Sequence, residues 1–200
     1  MTTRHHLARW RGRSGDAKGA VEALQNLFRE QFRILGQDHP DTLNTRGFLA
    51  FWRGRAGDAA SAVVAYERLL PDQVRILGDD HPDVLITRGN LAQWRSYAGN
   101  RGDAIIDMHD LLNDKLRIFG SDHPHTLAAR RMLACWRGEG GDAVGAVSEL
   151  RDLLTHQRQI LGPDHPETVT TCSDLARWEV QARNANGRKF LRRLLSGRVG

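Results

Sequence analysis

Two hundred residues, 40% of them hydrophobic and 26% charged, suffice for a packed core in a soluble protein, and no apolar run approaches the ~18 residues that cross a bilayer. Two cysteines, Cys135 and Cys172, exclude a disulfide framework, and the N-terminus, Met1-Thr2-Thr3-Arg4-His5-His6, has no signal-peptide core, so reduced thiols in a cytoplasmic protein are expected. The net charge of +5 sits in the tail: Glu179–Gly200 carries six basic residues against one acid, or +5, which leaves residues 1–178 at zero and no basic face along the rest of the chain.

Asp-His-Pro stands at 38–40, 80–82, 122–124 and 164–166, and tryptophan keeps the same 42-residue step at Trp10, Trp52, Trp94, Trp136 and Trp178. A fixed period of this size marks a solenoid, in which each unit buries its apolar face against its neighbours. The first helix, near 2–13, enters at the register of Leu43 and so lacks an Asp-His-Pro start; its partner falls near 17–34. The first full repeat begins near 38. Asp38 is expected to cap a helix over 40–54, with Pro40 in the first turn, where a missing N–H costs nothing. Leu43, Leu49, Ala50 and Trp52 follow at helical spacing, and Gly54 and Gly57 are expected to stop the helix. Asp58 caps a second helix over 59–77, whose stripe is Ala62, Val63, Tyr66, Leu69, Leu70, Ile76 and Leu77. Pro71 lies inside it and predicts a bend. The pattern repeats from near 80, 122 and 164, with helices near 82–97, 101–119, 124–138, 143–161 and 166–182. A turn is then expected at Asn184-Ala185-Asn186-Gly187, before a short basic amphipathic helix over 188–196. The domain reading is an array over 1–182 and a basic capping tail over 183–200.

Leu49-Ala50, Gly57-Asp58, Ala62, Tyr66 and Leu69, repeated as Leu91-Ala92, Gly99, Ala104 and Leu111 and as Leu133-Ala134, Gly141-Asp142, Ala146 and Leu153, resemble tetratricopeptide repeats. The 42-residue period and the Leu-Gly-x-Asp-His-Pro linker resemble the longer kinesin-light-chain type, which bacterial proteins use widely, often beside a STAND-class signalling NTPase module. The resemblance covers residues 1–182. It implies an all-α solenoid of helix-turn-helix repeats wound into a right-handed superhelix. It also implies a concave groove, lined mainly by first helices, that takes a peptide or partner protein. Some relatives clamp a terminal carboxylate there with lysine and asparagine; Gly47 and Gly89 stand at the lysine positions, Phe51 and Gln93 at the asparagine positions, so that clamp is missing. No nucleotide-binding loop is present.

The repeated histidines do not make a metal centre. Equivalent residues of successive repeats lie roughly 8–10 Å apart or more, whereas zinc takes nitrogen ligands at about 2.0–2.1 Å. Four Asp-His pairs without a matched serine or cysteine are architecture and not an active site, so neither catalysis nor a cofactor is expected. The tryptophans lie three residues after the Leu of Leu-Ala, on one helical face, and are expected to pack between repeats at about 1.5–3 kcal/mol each.

Positions that vary between repeats on the first helices are where specificity can be encoded. The groove candidates are Asn44, Phe51, Arg55, Ile86, Asn90, Gln93, Tyr97, Arg131, Cys135, Glu139, Asp174 and Arg177. Phe51, Tyr97 and Arg131 are the expected anchors, since aromatics and arginine dominate binding hot spots. Together they predict a non-enzymatic protein-interaction scaffold, with self-association open through the irregular ends and a sensor or recognition role in a larger signalling protein as a variant. The alternative is a nucleic-acid or anionic-surface module using Arg188, Lys189, Arg192 and Arg193 of the tail.

Overall fold

The computed structural model describes the backbone of residues 2–196 and the side chains of residues 4–185. The described residues form nine α-helices and no strand: α1 (Thr2–Arg13), α2 (Ala17–Leu35), α3 (Pro40–Arg55), α4 (Ala59–Leu77), α5 (Pro82–Tyr97), α6 (Arg101–Phe119), α7 (Pro124–Glu139), α8 (Ala143–Ile160) and α9 (Pro166–Ser196). This is the all-α, tandem helix-turn-helix architecture that the period demands. The chain divides into two compact units, Met1–Leu111 and Leu112–Gly200. In the first, α1 packs on α2, α2 on α3, α3 on α4 and α4 on α5; in the second, α7 packs on α8 and α8 on α9, with a smaller contact from α7 to α9.

Glycine sets each turn. Gly15, Gly36, Gly57, Gly78, Gly99, Gly120, Gly141 and Gly162, one every 21 residues, all have φ between +82° and +102°, which other residues rarely adopt. Gly57 therefore ends α3, but Gly54 does not, because it lies inside the helix. Its role is clearance: a Cβ there would come within 2.6 Å of the Trp94 indole. Gly12 lies against Trp52 and Gly138 against Trp178 in the same way. Each of these tryptophans fills a notch that the preceding first helix leaves open.

That notch explains the ladder's behaviour. Trp52, Trp94, Trp136 and Trp178 are buried, as expected for residues packed between repeats, but Trp10 is 75% exposed.

The helix starts correct the sequence reading in one respect. The N-cap is histidine, not Asp38. His39 Nδ1 accepts the Asp41 N–H at 3.1 Å, and His81, His123 and His165 do the same for the residue two positions on. The ring nitrogen reaches the free N–H because the residue before proline is held extended, at φ −67° and ψ 137° for His39. This frees Asp38 to accept a 2.7 Å hydrogen bond from Arg75 at the end of α4, tying two helix ends together. Asp58 caps α4 as predicted, accepting the Ser61 N–H at 2.9 Å.

Helix bounds agree with the sequence reading to within a residue through α8. α4 runs unbroken through the exposed Pro71. At the C-terminus the expected turn at 184–187 is absent, and α9 continues to Ser196. Asn and Gly lower helix propensity by about 1 kcal/mol or less per residue, which does not stop a helix without a proline.

Candidate functional site

The first unit holds a cavity of about 560 Å³ walled by α1, α3 and α5. α3 supplies Asn44, Phe48, Phe51 and Arg55, residues spaced three or four apart and therefore on one face. α5 supplies Ile86 and Asn90 from the equivalent face, and α1 supplies Arg9 and Arg13. Five of the seven groove candidates in this unit thus meet here: Asn44, Phe51, Arg55, Ile86 and Asn90. Gln93 and Tyr97 lie farther along α5 and do not line the cavity; Tyr97 is exposed and packs its ring on Trp94 at 5.4 Å.

The walls are aromatic and fixed. Phe51 is half-buried, edge-on to Trp52 at 5.2 Å and to Trp94 at 6.1 Å. The Arg9 guanidinium sits over the Phe48 ring at 5.2 Å, while His5 meets that ring edge-on at 4.4 Å. Burial, helped by Arg9, lowers the His5 pKa, so the imidazole favours its neutral form. At the inner end, the Tyr66 hydroxyl donates to the Gly47 carbonyl at 3.0 Å and is also hydrogen-bonded to Asn90. Burial pushes that hydroxyl's pKa well up, which keeps it protonated. Gly47, which stands where a clamp lysine would be, lines the cavity without filling it; a Cβ there would meet Leu69 at 3.5 Å.

The cavity's electrostatics are set by arginine. Arg9, Arg13 and Arg55 line it, and among the described residues none forms an ion pair with a carboxylate. Asp83 is the acid among the lining residues. Arg9 and Arg13 fall outside the sequence candidates, which come from full repeats; α1 lacks the Asp-His-Pro start that marks the others.

The candidates of the second unit behave differently. Arg131 of α7 is ion-paired to Asp174 of α9, and Arg177 joins the same carboxylate at 3.2 Å while stacking over the Trp178 ring. Arg131 is therefore held within the fold and is not a free anchor. Cys135 is buried in the cluster with Leu150, Leu175 and Trp178; burial first, and then Asp174, raises its thiol pKa. Glu139 is exposed at the end of α7. Cys172 is free and exposed, and Cys135 is free and buried. Arg188, Lys189, Arg192 and Arg193 lie outside the residues whose side chains are described. Among the described residues there is no group of three or more potential metal ligands, and no described helix is long and apolar enough to cross a membrane.

The tetratricopeptide repeat family model matches residues 42–83 and 84–125, two consecutive units at the 42-residue step. Among solved structures, the chain is similar to the nearly identical TPR-like repeats of a kinesin light chain-like protein from Podosopora anserina, at 27% identity and a TM-score of 0.74, over 98% of this chain and 91% of that one. A single-substitution form of that protein is similar at 26% identity and a TM-score of 0.75, over 99% and 92%. BtubC (BKLC) from P. vanneervenii shares the fold at 18% identity and a TM-score of 0.68, over 96% of this chain and 79% of that one. No curated protein matches the sequence.

Proposed function

We propose that this chain, built of tetratricopeptide repeats of the kinesin light chain type, is a protein-interaction module that seats a peptide segment of a partner in the cavity between α1, α3 and α5. The observation that carries the reading is the cavity's composition. About 560 Å³ lies within the 300–1,000 Å³ usual for ligand sites. Its walls are preformed aromatic surface, which supplies contact area at low ordering cost. Asn44 and Asn90 offer amide donors and acceptors of the kind a peptide backbone pairs with. Arg9, Arg13 and Arg55 are cations without internal carboxylates, so a segment with an apolar side chain between acidic residues complements the site.

The test is a titration of the full chain with an immobilised peptide array that varies the acidic and apolar positions independently. Tight spots are expected to need both features and to weaken at least about tenfold with Arg55→Ala or Phe51→Ala, the range of a hot-spot contact. Arrays on which neither substitution changes any spot would refute the assignment.

A further inference from the structure

On the opposite face of α3 a second cleft, of about 700 Å³, opens between α2 and α4. Arg46, Leu49 and Arg53 reach it from α3, at a helical spacing that turns them away from the residues of the first cavity. The cleft is lined by four arginines, Arg29, Arg46, Arg53 and Arg68, and by no acid. Arg46 is neutralised by Asp72 at 2.7 Å. The other three form no ion pair among the described residues; Arg29 donates to the Asn26 side chain, and Asp58, near Arg53, is held by the Ser61 N–H. Between them lie Phe28, Leu49 and Val64, the last 45% exposed.

The repeat supplies its own control. One period on, the same groove between α4 and α6 is lined by Arg95, Glu67, Asp103 and Asp107. Arg95, the counterpart of Arg53, donates to Glu67 at 2.8 Å and to Asp107 at 2.6 Å. The residues 42 positions before those two acids are Gln25 and Ala65. Arg53 therefore lacks both carboxylates that hold Arg95, and its remaining acidic neighbour is the α4 cap Asp58, which stands where the next repeat has Asn100. Arg68 stands where the next two repeats have Asp110 and Asp152, and Arg29 where the others have Pro71, Asn113 and Thr155. The groove between α4 and α6 does not share this reversal of charge.

We infer that the α2–α4 cleft is a second docking site, which takes an acidic segment of a partner protein whose carboxylates replace the missing pair at Arg53. The geometry of Arg95 shows that a guanidinium in this register accepts two carboxylates at once. The apolar floor favours a polypeptide with aliphatic side chains between its acids over a nucleic-acid backbone, which would leave Phe28 and Val64 uncovered. The inference does not depend on the first cavity, whose residues lie on the other side of α3.

The experiment uses the full chain carrying Arg13→Glu and Arg55→Glu, which silences the first cavity. A fluorescein-labelled peptide of repeated Glu-Leu-Asp-Ala is titrated and followed by anisotropy, with a labelled oligothymidylate as a parallel probe. The background chain is expected to bind the peptide. Adding Gln25→Glu and Ala65→Asp, the residue types of the next repeat, should weaken binding at least about tenfold by returning internal partners to Arg53. Circular dichroism checks that this variant is folded, and Arg53→Glu with Arg68→Glu should give the same loss. The inference is overturned if the background does not bind the peptide, if Gln25→Glu with Ala65→Asp binds as well as the background, or if oligothymidylate binds more tightly through Arg53.

Discussion

Two glycines seven residues apart on α3 should respond oppositely to the same substitution. At Gly47 a Cβ would lie 3.5 Å from Leu69 Cδ2, an ordinary contact. Gly47→Ala therefore gains helix propensity, about 1 kcal/mol, without a steric cost. At Gly54 the added carbon would come within 2.6 Å of Trp94 Cε2, Cζ2 and Cη2. Those atoms belong to a rigid ring that is itself 6% exposed, so relief requires α3 and α5 to move apart. Overpacking of this kind costs about 1–3 kcal/mol; set against the same propensity gain of about 1 kcal/mol, Gly54→Ala should be destabilising by up to about 2 kcal/mol. Urea unfolding followed by circular dichroism and tryptophan fluorescence measures both. In a Trp94→Phe background the smaller ring should remove most of the Gly54→Ala penalty, a coupling read directly from the double-mutant cycle. If Gly54→Ala is as stable as Gly47→Ala, the account of tryptophans seated in glycine notches is wrong.

Other consequences follow from burial and titration. Trp52→Ala should cost about 3–5 kcal/mol, the range for a buried aromatic, whereas Trp10→Ala, at a residue 75% exposed, should leave the urea midpoint nearly unchanged. Tyr66 is an acid whose folded pKa is raised above its unfolded value of about 10; its stabilisation is complete below that value and lost progressively as pH rises from there through the folded pKa. Melting temperature should thus fall above about pH 10, and fall less in Tyr66→Phe, which in turn loses about 1 kcal/mol at neutral pH with the bond to the Gly47 carbonyl. A thiol reagent should modify the exposed Cys172 at once and the buried Cys135 only with unfolding. Deleting residues 187–200 should leave peptide binding by the first unit intact, and should abolish any low-salt DNA binding that depends on Arg188, Lys189, Arg192 and Arg193, read by anisotropy at two salt concentrations.

The two clefts also show what a sequence can and cannot disclose. Whatever repeats every 42 residues is legible without coordinates: helix bounds, the buried Trp52, Trp94, Trp136 and Trp178, and the cap at Asp58, which Asp16 and Asp142 repeat in the structure. The register of a helix follows from periodicity alone, and so do the residues sharing its face, which is why Asn44, Phe51 and Arg55 on α3 and Ile86 and Asn90 on α5 line one cavity. Pairing between elements is different, because it depends on reach and not on period. Arg131 has the residue type of an anchor, but Asp174, 43 residues on, holds it. Asp38 has the residue type of a cap, but the neighbouring imidazole reaches the N–H instead. Net charge misleads in the same way: residues 1–178 sum to zero, yet the zero is an average over grooves in which Arg95 is paired to two acids and Arg53, with Asp58 nearby, forms no ion pair among the described residues. In a repeat protein the informative comparison is therefore between one repeat's ion pairs and the next repeat's residues at the same register. Cations that lose the ion pairs of the next repeat, as Arg53 does beside Arg29 and Arg68, mark where an outside carboxylate fits.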